Sequence, residues 1–311
     1  MRIGFAHPVY RFAALVPARL ECRHFSSPEE LAAGIGTLDV LVAGARWWEN
    51  ALIARAGRLR LIQSVTAGVE HLDLALLRAR GIRLATAQGC ADIAVAEHAL
   101  GLMLALTRQL HLARDNQSRR RYRPMIAEPA LREGELNGRT LLLAGFGPIG
   151  QRIAALAKAF GMTVLCIRNT PAPGDAVDEM HGLGALHELL PRADIVALAC
   201  PLTRETARMI DARALACMKP SALLVNVARG GLVDETALIA ALAGGAIAGA
   251  ALDCFEAEPL PADSPLWDMS QAIVTPHSAW SSPRYENRVA EILLDNLGRL
   301  ARGERLRNEI A

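Results

Sequence analysis

Short apolar runs alternate along the chain with stretches in which apolar residues recur at helical spacing. In the first ninety residues, runs at 40–44, 61–65 and 82–85 predict strands. Between them, the pattern predicts helices over 49–57, closed by Gly57, and over 72–80, stopped by Gly81. Asp92 is a good N-cap and opens a longer predicted helix over 92–116, with a stripe at positions 93, 96, 100, 103, 104 and 107. A polar stretch over 117–139 then predicts a connection. The alternation resumes with predicted strands at 140–144, 162–167, 194–199, 221–227, 247–253 and 272–275, and helices at 148–160, 185–191, 205–215 and 234–243. Such alternation predicts parallel sheets with helices on both faces, an α/β fold of the doubly wound kind. A last amphipathic helix, from Pro283 to about 302, has no strand left to feed and is expected to pack back on the first domain.

Composition narrows the class. The 311 residues suggest two domains, and 52% hydrophobic against 21% charged residues give enough apolar surface for sizeable cores. Aromatics are only 4%, so those cores are aliphatic. A formal charge of +2 is too near neutral for a dedicated nucleic-acid binder, and the run Arg119, Arg120, Arg121 with Arg123 is expected to be solvated. The six cysteines show no CxxC spacing, so no metal site is expected and the thiols fit a reducing compartment. The first residues lack the apolar run of a secretory signal, and the stretch 94–106 is too short to span a bilayer. A cytoplasmic protein with no membrane partner is the expectation.

The strongest local signal is TLLLAGFGPIGQ at 140–151, a strand, a GxGxxG loop and a helix start. Gly145 permits the tight turn, Gly147 lets backbone approach a pyrophosphate, and Gly150 lets helix and strand pack closely. The helix N-terminus offers N–H groups and a positive dipole end to phosphate. At the end of the next strand, where a carboxylate would bind the ribose 2′-hydroxyl, stand Arg168, Asn169 and Thr170, and no acidic residue lies between Gln151 and Gly174. A guanidinium pairs with a 2′-phosphate, so NADP is the preferred cofactor and NAD the second choice.

Three later strands deliver Arg229, then Asp253, Glu256 and Glu258, then His277 to their carboxyl ends, where open α/β sheets bind ligands. Histidine suits proton transfer near neutral pH. A neighbouring carboxylate favours its imidazolium form and orients the ring. An arginine holds a substrate carboxylate and polarises a carbonyl.

With those residues in place, the sequence resembles the D-isomer-specific 2-hydroxyacid dehydrogenases, and within them the NADP-preferring glyoxylate and hydroxypyruvate reductases. The matching stretches run in order: SVTAGVEHLD at 64–73, VAEHALGLMLAL at 95–106, GFGPIG at 145–150, CPLT at 200–203, MKPSALLVNVARGG at 218–231, DCFEAEPL at 253–260 and TPHSA at 275–279. The resemblance implies two Rossmann-like parallel-sheet domains. A dinucleotide-binding domain over 95–280 would be inserted into a discontinuous, flavodoxin-like substrate domain of 1–94 plus 281–311. It implies reduction of a 2-oxo acid to the D-2-hydroxy acid, with Arg229, Glu258 and His277 catalytic. The N–H groups of Ala67, Gly68 and Val69 would hold the substrate carboxylate. Phe146, Pro148 and Ile149 of the glycine loop, with Cys200, Pro201, Val227 and Ala228, would line the cofactor site, and Asp253 would meet the nicotinamide carboxamide. A homodimer is implied as well, without the C-terminal extension of larger phosphoglycerate dehydrogenases.

Trp47, Trp48 and Trp280 lie beyond strand ends and are taken as candidate walls of the substrate pocket. His71 and His98 fall in helical segments and are expected to be structural. Two alternatives remain: a nucleotide-sensing corepressor-like binding protein, and a phosphoglycerate dehydrogenase, which needs a further cation for the phosphate.

Overall fold

In the computed structural model, which describes residues 1–10, 12–44, 47–69, 71–171 and 176–311, the apolar runs become the strands of two parallel sheets. The chain divides into two units, Met1–Ala91 with Ser282–Ala311, and Asp92–Ser281. Glu70, in the first matching stretch, lies outside the described residues.

The first unit opens with β1 (Arg2–Ala6), β2 (Glu21–Phe25), α1 (Pro28–Gly34), β3 (Val40–Ala43), β4 (Leu61–Ser64), α2 (Leu74–Ala79) and β5 (Arg83–Ala85). Among the described residues its sheet order is β2-β1-β3-β4-β5, the flavodoxin-like order. β3 and β4 are buried at every position, as parallel strands covered on both faces must be. α1 and α2 start at Ser27 and Asp73, whose side chains accept from the N–H groups of Glu30 and Leu76.

The second unit contains α3 (Asp92–Thr107), α4 (Leu110–Ser118), β6 (Thr140–Ala144), α5 (Pro148–Ala159), β7 (Thr163–Ile167), β8 (Glu179–His181), α6 (Leu186–Leu189), β9 (Ile195–Leu198), α7 (Ala212–Cys217), β10 (Leu223–Asn226), α8 (Glu235–Ala243), β11 (Gly249–Leu252) and β12 (Ala272–Val274). Its sheet order among the described residues is β12-β11-β10-β9-β6-β7-β8. The direction of winding reverses between β6 and β9, which are neighbours. The core is aliphatic, with Leu142, Leu165, Val196, Leu198 and Leu224 all buried.

The last helix, α9 (Tyr285–Arg302), belongs to the first unit, so that unit is discontinuous. Buried polar groups tie it there. Asn296 donates to Gln63 Oε1 at 2.9 Å, and Gln63 in turn donates to the carbonyls of Ser64, Ala85 and Thr86. Tyr285 Oη donates to Val65 O at 2.5 Å. Buried amides and hydroxyls are costly unless so satisfied, which makes this docking specific.

The chain end closes against β5. Arg83 donates to Glu309 at 2.6 and 2.9 Å. Those hydrogen bonds, chiefly, hold the Glu309 carboxyl below its usual value. A depressed folded value means that the pair's stabilisation is full above the unfolded carboxyl pKa of about 4.3. It is lost as pH falls through the lower folded value. Glu309→Gln is therefore expected to cost about 1–2 kcal/mol at pH 7 and to flatten the acid limb of a pH–stability profile followed by urea unfolding. An unchanged acid limb would remove the pair from the account.

Some elements differ from the sequence expectation. The predicted helix over 92–116 is two helices, because Gln109 takes φ +52° and breaks the ladder after α3. The 49–57 segment forms only a 3-10 helix, Asn50–Arg55, which Glu49 does not cap. The 205–215 helix shrinks to α7, which starts at the cap Asp211, since Arg208 adopts φ +49°. β8 is an added edge strand, too short and polar to stand out. No helix among the described residues is long and apolar enough to cross a membrane.

Candidate functional site

The carboxyl ends of five adjacent strands, β12-β11-β10-β9-β6, carry the candidate chemistry in order. At the winding reversal sits the glycine loop. Gly145 has φ +101°, and a Cβ there would lie 2.7 Å from Ala199 O and 2.8 Å from the Cα of Cys200. A Cβ on Gly150 would reach Gly145 O at 2.2 Å, so the start of α5 lies directly on the loop. Gly147, by contrast, is exposed with nothing within 4 Å of its Cβ position. Among the described residues, the N–H groups of Phe146, Gly147, Ile149 and Gly150 have no acceptor, and α5 has no side-chain cap. Open space over a glycine, ringed by unsatisfied amides at a helix start, fits a pyrophosphate. Pro148 opens the helix at its first position, where no N–H is needed.

Cys200 is buried beside this loop, and burial pushes its thiol up to about 11. Pro201 is exposed next to it, and its carbonyl accepts from Thr206 Oγ1 at 2.7 Å. Past β7, Arg168 is half-buried and Asn169 and Thr170 are exposed. The Arg168 guanidinium has no carboxylate partner among the described residues, and residues 172–175 of this loop lie outside them.

Arg229 follows β10. Its loop is fastened by buried Asn226, which donates to Arg229 O at 2.9 Å and accepts from Ala228 N–H at 3.1 Å. Val227 is buried and Ala228 half-buried within this staple. Arg229 Nη1 donates to Ala228 O at 2.8 Å. Gly230 lets the next loop approach, since a Cβ there would lie 1.9 Å from the Phe255 carbonyl carbon. That approach brings Glu258 to the site, with its Oε1 accepting from Phe255 N–H at 3.1 Å.

His277 follows β12 in a left-handed conformation, φ +50°. Its Nδ1 and Glu258 Oε2 lie 2.7 Å apart. The loop that holds it is fixed by Asp253, which is fully buried. Asp253 accepts from Thr275 Oγ1 at 2.6 Å and from the N–H groups of Ser278 and Ala279 at 2.9 Å each. His98 Nε2 of α3 stands 3.2 Å from Thr275 Oγ1 and 3.7 Å from Asp253 Oδ1. The resemblance assigns Asp253 to the nicotinamide; the structure commits three of its acceptor positions to the loop that presents His277.

Arg229, Glu258 and His277 line one cavity of about 650 Å³ with Leu202, Arg208, Gly230, Gly231, Phe255 and Glu256. Cys254 lies behind them. Its sulfur, a Glu258 oxygen and a His277 nitrogen fall within 4.8 Å of one another, a combination of metal-ligand types. Burial pushes the Cys254 thiol up to about 12, and it donates to Ala228 O, so a cation would have to displace a firmly held proton.

In the first unit, the loop after β4 presents Ala67, Gly68 and Val69. Among the described residues none of their N–H groups has an acceptor. The loop is shaped by Ser64 and by Thr66 Oγ1, which donates to Gly68 O at 2.8 Å. Three adjacent free amides are donor chemistry suited to a carboxylate. Trp48 is buried in the apolar core of the first unit, and its indole N–H donates to Asn50 Oδ1 at 3.0 Å. Trp47 packs half-buried on the same cluster, and Trp280 is half-buried in the second unit. Large aromatics so placed serve area burial first.

Comparison with known proteins follows the same lines. Residues 100–279 match the family profile of the D-isomer specific 2-hydroxyacid dehydrogenase NAD-binding domain. The chain is 36% identical over 292 residues to D-3-phosphoglycerate dehydrogenase of Methanocaldococcus jannaschii, covering 91% of this chain and 53% of that one. It thus spans about half the length of these first relatives. It is 36% identical over 273 residues to (S)-sulfolactate dehydrogenase of Chromohalobacter salexigens, covering 86% of each. Among solved structures, a protein of Thermus thermophilus superposes with a TM-score of 0.88 at 33% identity, covering 100% of both chains. The NADPH-dependent glyoxylate/hydroxypyruvate reductase of Sinorhizobium meliloti superposes with a TM-score of 0.87 at 27% identity, covering 100% of this chain and 97% of that one.

Proposed function

This chain belongs to the D-isomer-specific 2-hydroxyacid dehydrogenase family, and from that premise we propose that it reduces a 2-oxo acid of the glyoxylate or hydroxypyruvate kind to the D-2-hydroxy acid, with NADPH preferred over NADH. The observation that carries this reading is the 2.7 Å contact between His277 Nδ1 and Glu258 Oε2 in the cavity that Arg229 also lines.

A bound reduced nicotinamide supplies the hydride. The chain supplies everything else. Glu258 accepts from Nδ1–H of His277, which leaves Nε2 as the nitrogen that presents a proton to the substrate oxygen. Asp253, accepting from the N–H groups of the two residues that follow His277, holds the loop that carries the ring. Arg229, its loop fastened by Asn226, binds the acid and polarises the carbonyl as negative charge develops on oxygen. The Ala67, Gly68 and Val69 amides of the first unit are proposed as carboxylate donors in their own right. Chiral analysis of the product from hydroxypyruvate tests the reaction: one D-glycerate per NADPH consumed is expected, and L-glycerate would contradict it.

The NADPH preference rests on Arg168, which stands past β7 with no carboxylate partner among the described residues. Arg168→Asp replaces an attractive contact to a 2′-phosphate with a repulsive one. The ratio of kcat/KM for NADPH to that for NADH is expected to fall by about 10- to 100-fold. An unaltered ratio would take Arg168 out of the cofactor site.

A further inference from the structure

His98 of α3 takes no part in the proton or carboxylate chemistry above, yet it stands against the loop that carries His277. We propose that His98 is a positioning residue: through Thr275 and Asp253 it fixes the strained loop on which His277 meets Glu258. The inference rests on the reductase reading above for its effect on rate, but not for its effect on the placement of His277.

The backbone supplies the need for such a device. His277 takes φ +50°, a conformation that is costly for a non-glycine residue and persists only where its surroundings over-determine it. Its own N–H donates to Thr275 O at 3.0 Å, and Thr275 N–H donates to Leu252 O at 2.9 Å. On the other side, Asp253 accepts from Ser278 N–H and Ala279 N–H at 2.9 Å each, and it also accepts from Thr275 Oγ1 at 2.6 Å. One buried carboxylate thus ties together residues before and after His277.

Counting protons gives this network a direction. A carboxylate only accepts, so the single hydroxyl proton of Thr275 goes to Asp253. Thr275 Oγ1 is left with lone pairs for His98 Nε2, 3.2 Å away, so Nε2 carries a proton. Donation therefore runs from His98 to Thr275 to Asp253.

Burial makes that line matter. Asp253 is fully buried, and its donors in the loop are all neutral. Among the described residues, His98 is the one basic side chain that reaches this carboxylate, with Nε2 3.7 Å from Oδ1. A buried carboxylate is costly unless it is compensated, so loss of His98 weakens the hub that holds the loop. The support is also rigid, since Val95, Ala96, Ala99, Leu102 and Met103 of the same helix are buried.

Crystal structures and kinetics of the full chain test this together. In His98→Leu, the separation of His277 Nδ1 and Glu258 Oε2, 2.7 Å in the native chain, is expected to open beyond hydrogen-bonding distance. With NADPH and hydroxypyruvate, kcat is expected to fall about 10- to 100-fold, counted per NADPH-binding site so that unfolded protein does not contribute. KM for the acid and the NADPH dissociation constant should stay within about threefold. His98→Gln keeps a donor near the Nε2 position and should restore both the separation and most of the rate. His98→Asn ends too short to reach Thr275 and carries the same two readouts if the leucine variant does not fold. Thr275→Val breaks the line at its next member, so adding His98→Leu to it should cost less than about threefold more. An unmoved His277 ring, an equal loss in NADPH binding, a lower Tm with unchanged kcat, or additive losses in the double variant would overturn the proposal. If no 2-oxo acid is turned over, the reductase reading fails by itself. The His277–Glu258 separation in His98→Leu and His98→Gln then decides this inference: opened and restored supports it, and unchanged overturns it.

Discussion

His277→Ala is expected to lower kcat by about 10²- to 10⁴-fold while NADPH binding stays within twofold. The reasoning is geometric. Glu258 Oε2 lies 2.7 Å from Nδ1, so the ring is oriented with Nε2 free for the substrate. The loop that presents it is fastened by buried Asp253, which accepts from the N–H groups of Ser278 and Ala279. Alanine at 277 leaves those backbone bonds intact and removes only the proton donor. The measurement pairs steady-state turnover with a fluorescence titration of NADPH. A kcat within threefold of wild type would assign proton donation elsewhere.

The second large effect is at Arg229. Arg229→Ala is expected to lower kcat/KM for the 2-oxo acid by about 10²- to 10³-fold, the range for losing one preorganised donor to a developing oxyanion. Arg229→Lys should recover little, because an ammonium lacks the planar fork that holds a carboxylate through two parallel bonds. The fall should appear in both KM and kcat, since this side chain serves both the bound acid and the reacting carbonyl. Its loop is fastened by Asn226 and abuts the Phe255 carbonyl through Gly230, so the guanidinium is placed by backbone rather than by its own contacts alone. Unchanged kcat/KM in Arg229→Ala would refute its role.

Much of this was legible in the sequence because certain residue types carry their reasons locally. GFGPIG after an apolar run already implied a strand, a turn and a helix start, and the structure supplies φ +101° at Gly145 with open space over Gly147. Arg229, Glu258 and His277 were findable because each follows a strand, and parallel strands put their carboxyl ends on one edge. What escaped depends on tertiary placement. Asn226 sits inside an apolar run and reads as a strand residue, yet its buried amide shapes the arginine loop. His98 was assigned to structure, but only the fold brings it to Thr275 and Asp253. Arg208 carries no local mark, since its left-handed backbone is imposed by Gly231 O. An aromatic beyond a strand end, such as Trp48, carries no local sign of how far its ring enters the core, and only the fold shows that burial. The short strand Glu179–His181 lacks the apolar period that reveals the others.

The reductase reading is tested most directly by following loss of reduced-nicotinamide absorbance with glyoxylate, hydroxypyruvate, pyruvate and phenylpyruvate, each with NADPH and with NADH. The account predicts saturable, NADPH-favoured turnover of glyoxylate or hydroxypyruvate. Tight NADPH binding with no oxidation by any of the four acids would contradict it and point to a nucleotide-binding protein instead.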